Sequence, residues 1–315
     1  MDFPQSKELG FGITCIDANY IRPGLACFYL MEEAGEYAVI ETGTSLSFAN
    51  LCRVMQSRAF APEQVRYVIP THVHLDHAGG AGTMMAAFPE ARLLIHPRGA
   101  PHMADPQRLV ESSEGVYGAQ RFRELYGEIT PVDPERMVIM EDGDRVSLGG
   151  RPLEVRHTRG HANHHFCVWD ERSSGWFSGD MFGISYSWFR LVGGDYMMPA
   201  TTPTQFDPEA YIASLKLLES YEPARIYLTH YGELDYTPEK AQQLIQQLLA
   251  YAELAATYAA DHGALLKALS DYSIERVREI DSHHPDDELR ELLAFDADLN
   301  AQGLMMYWSS ANSTR

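Results

Sequence analysis

Cysteine is scarce in this chain of 315 residues, and the four present, Cys15, Cys27, Cys52 and Cys167, form no close pair. Such spacing offers neither a thiolate zinc cluster nor a disulfide framework, and it suits a reducing compartment. Basic residues are also few, 25 against 44 acidic ones, for a formal charge of −19. A surface that negative repels phosphate backbones and anionic lipid, which argues against nucleic acid and membrane as partners. No apolar run approaches the roughly 20 residues that span a bilayer. The opening MDFPQSKELGFG lacks the basic and then apolar segments of a secretory leader. The expectation is a soluble, cytoplasmic protein whose partner is a small molecule.

What the chain does have is a core: 45% of its residues are hydrophobic. Its length allows one large domain, or a domain with an appendage. LACFYLMEE and EYAVIETG read as paired strands turning near Gly35, and FANLCRVMQSRAF as a helix with Ser47 as its cap. VRYVIP is a short buried strand, GTMMAAFP a helix and ARLLIHP another strand; residues 99–128 read as helical. Strands follow in MVIMEDGDRVSLGGRPLEVRHT, in the hairpin HHFCVWDERSSGWFSGD and in ARIYLTHYG. From Thr237 onward only helix-forming sequence remains. The organisation expected is therefore a mixed sheet-and-helix domain over residues 1–236 and a helical region over 237–315.

The chemistry concentrates in YVIPTHVHLDHAGGAG, residues 67–82, where His72, His74, Asp76 and His77 fall within six positions. Imidazole and carboxylate are the donors that zinc and similar divalent ions take. Residues two apart in an extended segment share a side, so His72 and His74 can hold one ion. Asp76 continues that spacing, and His77 is offset towards a second position. Gly79 and Gly80 then allow the chain to bend. Further donors stand at similar places: His161 after LEVRHT, Asp180 after the strand around Phe177, and His230 after ARIYL. Strand ends delivered to one sheet edge form a site there. The other histidines, His96, His102, His157, His164, His262, His283 and His284, read as surface or core residues.

HVHLDH resembles the H-x-H-x-D-H signature of the metallo-β-lactamase fold superfamily, and the later His, Asp and His occur in that family's order. The likeness runs from about residue 13 to 236. It includes GHANHH, similar to the family's G-H-x-x-x-H, and VIETG, where the family more often has Asp at the position of Glu41. It implies an α/β (α+β) fold, a four-layer αβ/βα sandwich, here with a helical C-terminal appendage similar to that of the glyoxalase II-like thioesterases. It also implies His72, His74 and His161 on one metal, Asp76, His77 and His230 on another, and Asp180 between them. Two divalent ions, zinc first and iron or manganese as alternatives, would clamp and ionise a water that attacks a thioester, lactone or related acyl bond. Asp76 and His165 are the candidates for catalytic roles, His165 behind the metal or on the substrate side.

Two other functions are open to this sequence. Persulfide dioxygenases keep much of the motif around a single iron, for which His72, His74 or His161, and Asp180 could serve. A non-catalytic platform presenting its helices to a partner is the other. A homodimer is open to the chain as an assembly. Tyr186, Trp188, Phe189, Tyr196, Met197 and Met198 either line a substrate pocket or pack on the C-terminal helices. Leu304–Trp308 reads as core or subunit interface.

Overall fold

The computed structural model describes residues 5–201 and 204–313. The first four residues of the segment read for a leader, two in the aromatic-rich stretch and the last two of the helical region lie outside the described residues. Two compact units make up the chain: Met1–His157 with His164–Gly179 and Pro223–Asp235, and Thr158–Asn163 with Asp180–Glu222 and Tyr236–Arg315. The crossing at 235/236 adjoins the boundary expected from composition. The crossings at 157/158, 163/164, 179/180 and 222/223 carry no compositional mark.

Both large sheets belong to the first unit. One has seven strands in chain order: β1 (Ser6–Gly10), β2 (Ile13–Asp17), β3 (Cys27–Glu33), β4 (Glu36–Ile40), β5 (Val65–Ile69), β6 (Arg92–Ile95) and β7 (Met137–Ile139). The first four pair antiparallel, β1 with β2 and β3 with β4 through two-residue turns, and β4 to β7 run parallel. Parallel neighbours need crossovers. These carry α1 (Phe48–Arg58), then α2 (Leu75–Ala78) and α3 (Ala81–Ala87), then α4 (Ala100–Ala104), α5 (Gln107–Tyr117) and α6 (Ala119–Tyr126). The second sheet uses β8 (Arg145–Leu148), β9 (Arg151–His157), β10 (Phe166–Asp170) and β11 (Gly175–Gly179). After the two-residue strands β12 (Arg190–Leu191) and β13 (Gly194–Asp195) of the second unit, it is completed by β14 (Arg225–Leu228) and β15 (Gly232–Asp235).

The two sheets face each other across one apolar core. Tyr29, Met31, Ile40 and Ile69 from the first pack with Val155, Phe166, Phe177 and Tyr227 from the second. The rings of Phe177 and Tyr227 stack at 4.5 Å, and Tyr29 meets Phe177 edge-on at 5.2 Å. Each such side chain contributes about 1.5–3 kcal/mol of burial. The loops at the strand ends are thereby mounted on a rigid base.

The second unit is helical: α7 (Pro208–Glu219), α8 (Pro238–Tyr258), α9 (His262–Ile280) and α10 (Asp286–Ser313). Asp207, Thr237 and Asp261 cap the first three, each side chain accepting from a backbone N–H three residues on. Helix α7 was missed because its N-terminal turn adjoins the aromatic-rich stretch, which reads as loop. Ser47 is a correction: it does not cap α1. Its hydroxyl donates to Ala18 O at 2.7 Å and accepts from the Thr44 N–H, tying the turn after β4 to the one after β2.

One titration is built into the core edge. His96, after β6, lies against His157 with ring centroids 4.1 Å apart and accepts from the Arg98 N–H at Nδ1. Burial, then the nearby His157 and Arg98, lowers its pKa from 6.5 to about 4. The unfolded chain takes up this proton near pH 6.5 and the folded one only near 4. The stability it contributes is therefore full above 6.5 and lost as the pH falls through that window. Denaturant melts from pH 7 to 4 are expected to lose on the order of 1–2 kcal/mol from this group, allowing for solvent screening. His96→Asn, which keeps an acceptor but no proton site, is expected to flatten that part of the curve.

Candidate metal centre

Strand β5 ends at Ile69, and the next eight residues carry four donors. The chain bends at Thr71 and His72 and is extended at His74; the backbone then coils into the single turn of α2, which turns Asp76 and His77 back towards the first two histidines. His72 Nε2 lies 2.8 Å from His74 Nδ1. His230, two residues beyond β14, arrives from the second sheet: its Nε2 is 3.4 Å from Asp76 Oδ2, and His77 Nε2 is 3.7 Å from the same oxygen. In the second unit, His161 and Asp180 form their own pair, with Nε2 to Oδ2 at 3.3 Å. The first unit thus brings His72, His74, Asp76, His77 and His230 together, and the second brings His161 to Asp180.

These histidines are held from behind. His161 Nδ1–H donates to Ala200 O, and His230 Nδ1–H to Leu25 O, both at 3.0 Å. His77 Nδ1–H donates to Glu41 Oε1 at 3.1 Å. His72 Nδ1 lies 3.1 Å from Thr71 Oγ1, whose own hydrogen goes to Glu41 Oε1 at 2.5 Å. Each ring therefore keeps its proton on Nδ1 and turns the Nε2 lone pair towards the donor cluster. That is how metal-binding imidazoles are oriented and their basicity raised.

Donor atoms sharing one zinc stand about 3.3 Å apart, as bonds of about 2.0–2.1 Å at tetrahedral angles require. The separations of 3.3 and 3.4 Å for His161–Asp180 and His230–Asp76 fit that spacing, and Asp76, His77 and His230 supply three donor atoms mutually within 4.8 Å. The residues present fit divalent ions, and no cysteine belongs to a donor group among the described residues.

Glu41 is the residue whose role the sequence did not disclose. It is 1% exposed, and its carboxylate accepts from Thr71 N, Thr71 Oγ1, Thr229 Oγ1 and His77 Nδ1. Its backbone is left-handed, φ +62°, a conformation that costs a non-glycine residue about 1–2 kcal/mol. Four hydrogen bonds to a buried charge offset that cost. The neighbouring Thr42 ties the turn to α2, its hydroxyl donating to His77 O at 2.7 Å. The glycine pair is a second correction. Gly79 and Gly80 have no left-handed backbone; a Cβ on Gly80 would meet the carbonyl oxygens of Thr42 and Thr44 at 2.8 Å. They allow close approach to the Glu41 turn rather than a special bend.

His165 is fully buried, its ring stacked 4.9 Å from that of His72. His164, read as an ordinary histidine, instead stands beside the donors. Its ring is 5.5 Å from His74, and its Nδ1 accepts from the Val73 N–H at 3.4 Å. Tyr20 and Tyr126, joined hydroxyl to hydroxyl at 2.8 Å, lie near Asp76; burial first, and that carboxylate next for Tyr20, hold both phenols neutral. The large side chains of the aromatic stretch are buried in the second unit except Trp188, which is half-buried. Tyr186 donates to Asp296 of α10 at 2.8 Å, and Phe189, Tyr196, Met197 and Met198 are all 1–2% exposed.

The sequence profile of the metallo-beta-lactamase superfamily matches residues 22–230. The metallo-beta-lactamase fold-containing protein ST1585 of Sulfurisphaera tokodaii is 25% identical over 248 residues, 77% of this chain and 86% of that protein. The human acyl-coenzyme A thioesterase MBLAC2 is 27% identical over 194 residues; the match covers 56% of this chain and 65% of that enzyme, just under two thirds of its length. Among solved structures, the metallo-beta-lactamase family protein TTHA1429 of Thermus thermophilus superposes with a TM-score of 0.65 at 20% identity, over 98% of this chain and 95% of that one. That likeness is one of fold, and at such coverage it takes in the C-terminal helices as well as the sheets.

Two variants probe the support beneath the donors. Glu41→Gln keeps the shape but replaces a twofold acceptor by an amide, and metal affinity by chelator competition is expected to fall about 10–100-fold with secondary structure retained. Gly179→Ala would set a Cβ 2.4 Å from Thr71 Oγ1 and 2.6 Å from His165 Nε2, at φ +51°. Its thermal midpoint is expected to drop by an amount corresponding to roughly 2–4 kcal/mol.

Proposed function

The chain belongs to the metallo-beta-lactamase superfamily, and from that premise we propose that it is a metal-dependent hydrolase of a small acyl substrate, a thioester ahead of a lactone or other ester. The observation that carries this reading is the set of histidines whose Nδ1 atoms are each tied to a protein oxygen while their Nε2 atoms gather around carboxylates. In this proposal His72, His74 and His161 hold one ion, Asp76, His77 and His230 a second, and Asp180 serves both. Such ions supply a water nucleophile at neutral pH and polarise an acyl carbonyl.

The protein's own groups do the rest. Glu41 places negative charge behind His77 and, through Thr71, behind His72, which strengthens both as donors. Asp76, whose side chain is 23% exposed while those of His77 and His230 are 1% and 6%, is the donor with room to take a proton from the attacking water. His165, stacked on His72 and out of solvent, fixes that ring from behind.

A thioester is favoured by two features. One matched relative is named an acyl-coenzyme A thioesterase, and a helical region follows the metal core, as in the glyoxalase II-like branch. Small-molecule turnover in the cytoplasm, possession of two zinc ions, a homodimer, and no dealings with nucleic acid or membrane complete the proposal. Among the described residues no helix is long and apolar enough to cross a membrane.

The test is a panel of acyl-coenzyme A, short neutral thioesters, lactones, β-lactams and phosphodiesters, run with protein of measured metal content. Thioester turnover with about two ions per chain is expected, falling by about 10²–10⁴ in Asp76→Ala while the circular dichroism holds. One iron per chain, thiol-dependent oxygen uptake and inert thioesters would overturn the hydrolase reading.

A further inference from the structure

His230 stands in a short connection, residues 229–231, that reverses the chain between β14 and β15. Thr229 and His230 are buried there, so their backbone groups depend on partners supplied by the fold. A donor set tolerates displacements of only about 0.5 Å. What holds this reversal still is therefore part of the site.

The facing sheet grips it from both ends. Leu25, Cys27 and Tyr29, each two residues from the next, all reach it. Cys27 does so with three groups. Its N–H donates to Thr229 O at 2.8 Å, its S–H donates to Leu228 O at 3.2 Å, and its Sγ accepts from the Gly232 N–H at 3.3 Å. Leu228 and Gly232 are opposite one another in the β14–β15 ladder, so one thiol spans the base of the reversal. The Tyr29 hydroxyl donates to the same Leu228 O at 2.5 Å, and Leu25 O takes the imidazole proton of His230 at 3.0 Å. A buried free thiol ordinarily acts as a small hydrophobe. An apolar residue at position 27 would fill the core as well but would offer neither the donor nor the acceptor, and here both are spent on the segment that carries His230.

We propose that Cys27 and Tyr29 are positioning residues for His230. They fix the backbone on either side of it, so that Nδ1–H meets Leu25 O and Nε2 stands 3.4 Å from Asp76 Oδ2. The consequence for metal binding rests on the assignment of His230 to the second ion made above; the positioning itself does not. Loosening the pair weakens the set of Asp76, His77 and His230 and leaves that of His72, His74 and His161 as it was.

NMR of the full-length protein with nitrogen-labelled histidine, metal-free and zinc-loaded, tests this together with chelator competition. Tyr29→Phe removes one hydroxyl and keeps the ring contacts with Phe177 and Tyr227, so it provides a folded variant should Cys27→Ala fail to fold. In the metal-free protein, the Nδ1–H of His230 is expected to exchange with solvent about 3- to 10-fold faster in either variant, while that of His77, bonded to Glu41, is unchanged. Cys27→Ser still donates and accepts, and its exchange rate is expected to lie between those of Cys27→Ala and the parent. With zinc, one ion is expected to bind about 10–100-fold more weakly and the other as before. Unchanged exchange at His230 overturns the proposal. So does equal acceleration at His230 and His77, the mark of a general loosening, and so does a serine variant that exchanges as fast as the alanine one. Faster exchange at His230 alone, with zinc affinity intact, upholds the positioning and removes His230 from the ligand set.

Discussion

The carboxylate of Glu41, buried at the end of β4, accepts hydrogen bonds from residues 71, 77 and 229, so it joins the ends of β5 and β14 and the turn of α2 in one knot. Every donor in the first unit lies within a few residues of that knot. His72 follows Thr71, His230 follows Thr229, and His77 is bonded directly. A carboxylate buried this way is tolerated because both of its oxygens are hydrogen-bonded, Oε1 by three donors and Oε2 by one. The left-handed backbone at Glu41 is held by the same bonds, an instance of local strain paid for by the surrounding structure at a site.

Rigidity beneath the knot comes from the sandwich. Strand β2 and strand β11 are buried along their whole length, and the facing cores of the two sheets interlock through Tyr29, Phe177 and Tyr227. Donors mounted on strand ends hold their separations better than donors on free loops. The carbonyls of Leu25 and Ala200 then decide which imidazole nitrogen carries the proton, a choice made by backbone geometry rather than by the histidines themselves.

In the helical unit, polar residues of the last helix organise what precedes it. Asn300 meets both the backbone N–H and the hydroxyl of Thr201, and Asp296 receives Tyr186. The aromatic stretch is thus bound to its own helices, which turns the choice between pocket lining and packing towards packing.

How much of this was legible without coordinates follows from the range of each interaction. The cluster at 72–77 is written at steps of two and then one helical turn, so residue spacing alone exposes it, and the strands around it carry plain apolar runs. His161, Asp180 and His230 were visible because each closes such a run. Glu41 stood out only as a departure from the family's usual Asp; its role did not, since it rests on partners such as Thr229, 188 residues away in the chain. For the same reason Gly79 and Gly80 suggested a bend when their function is contact, and His164 looked ordinary until folding set it beside His74. Local periodicity marked the candidate donors and the layers. Only the tertiary structure decided which nitrogen of each imidazole keeps the proton and which oxygen holds it, because those partners meet through folding and not through sequence.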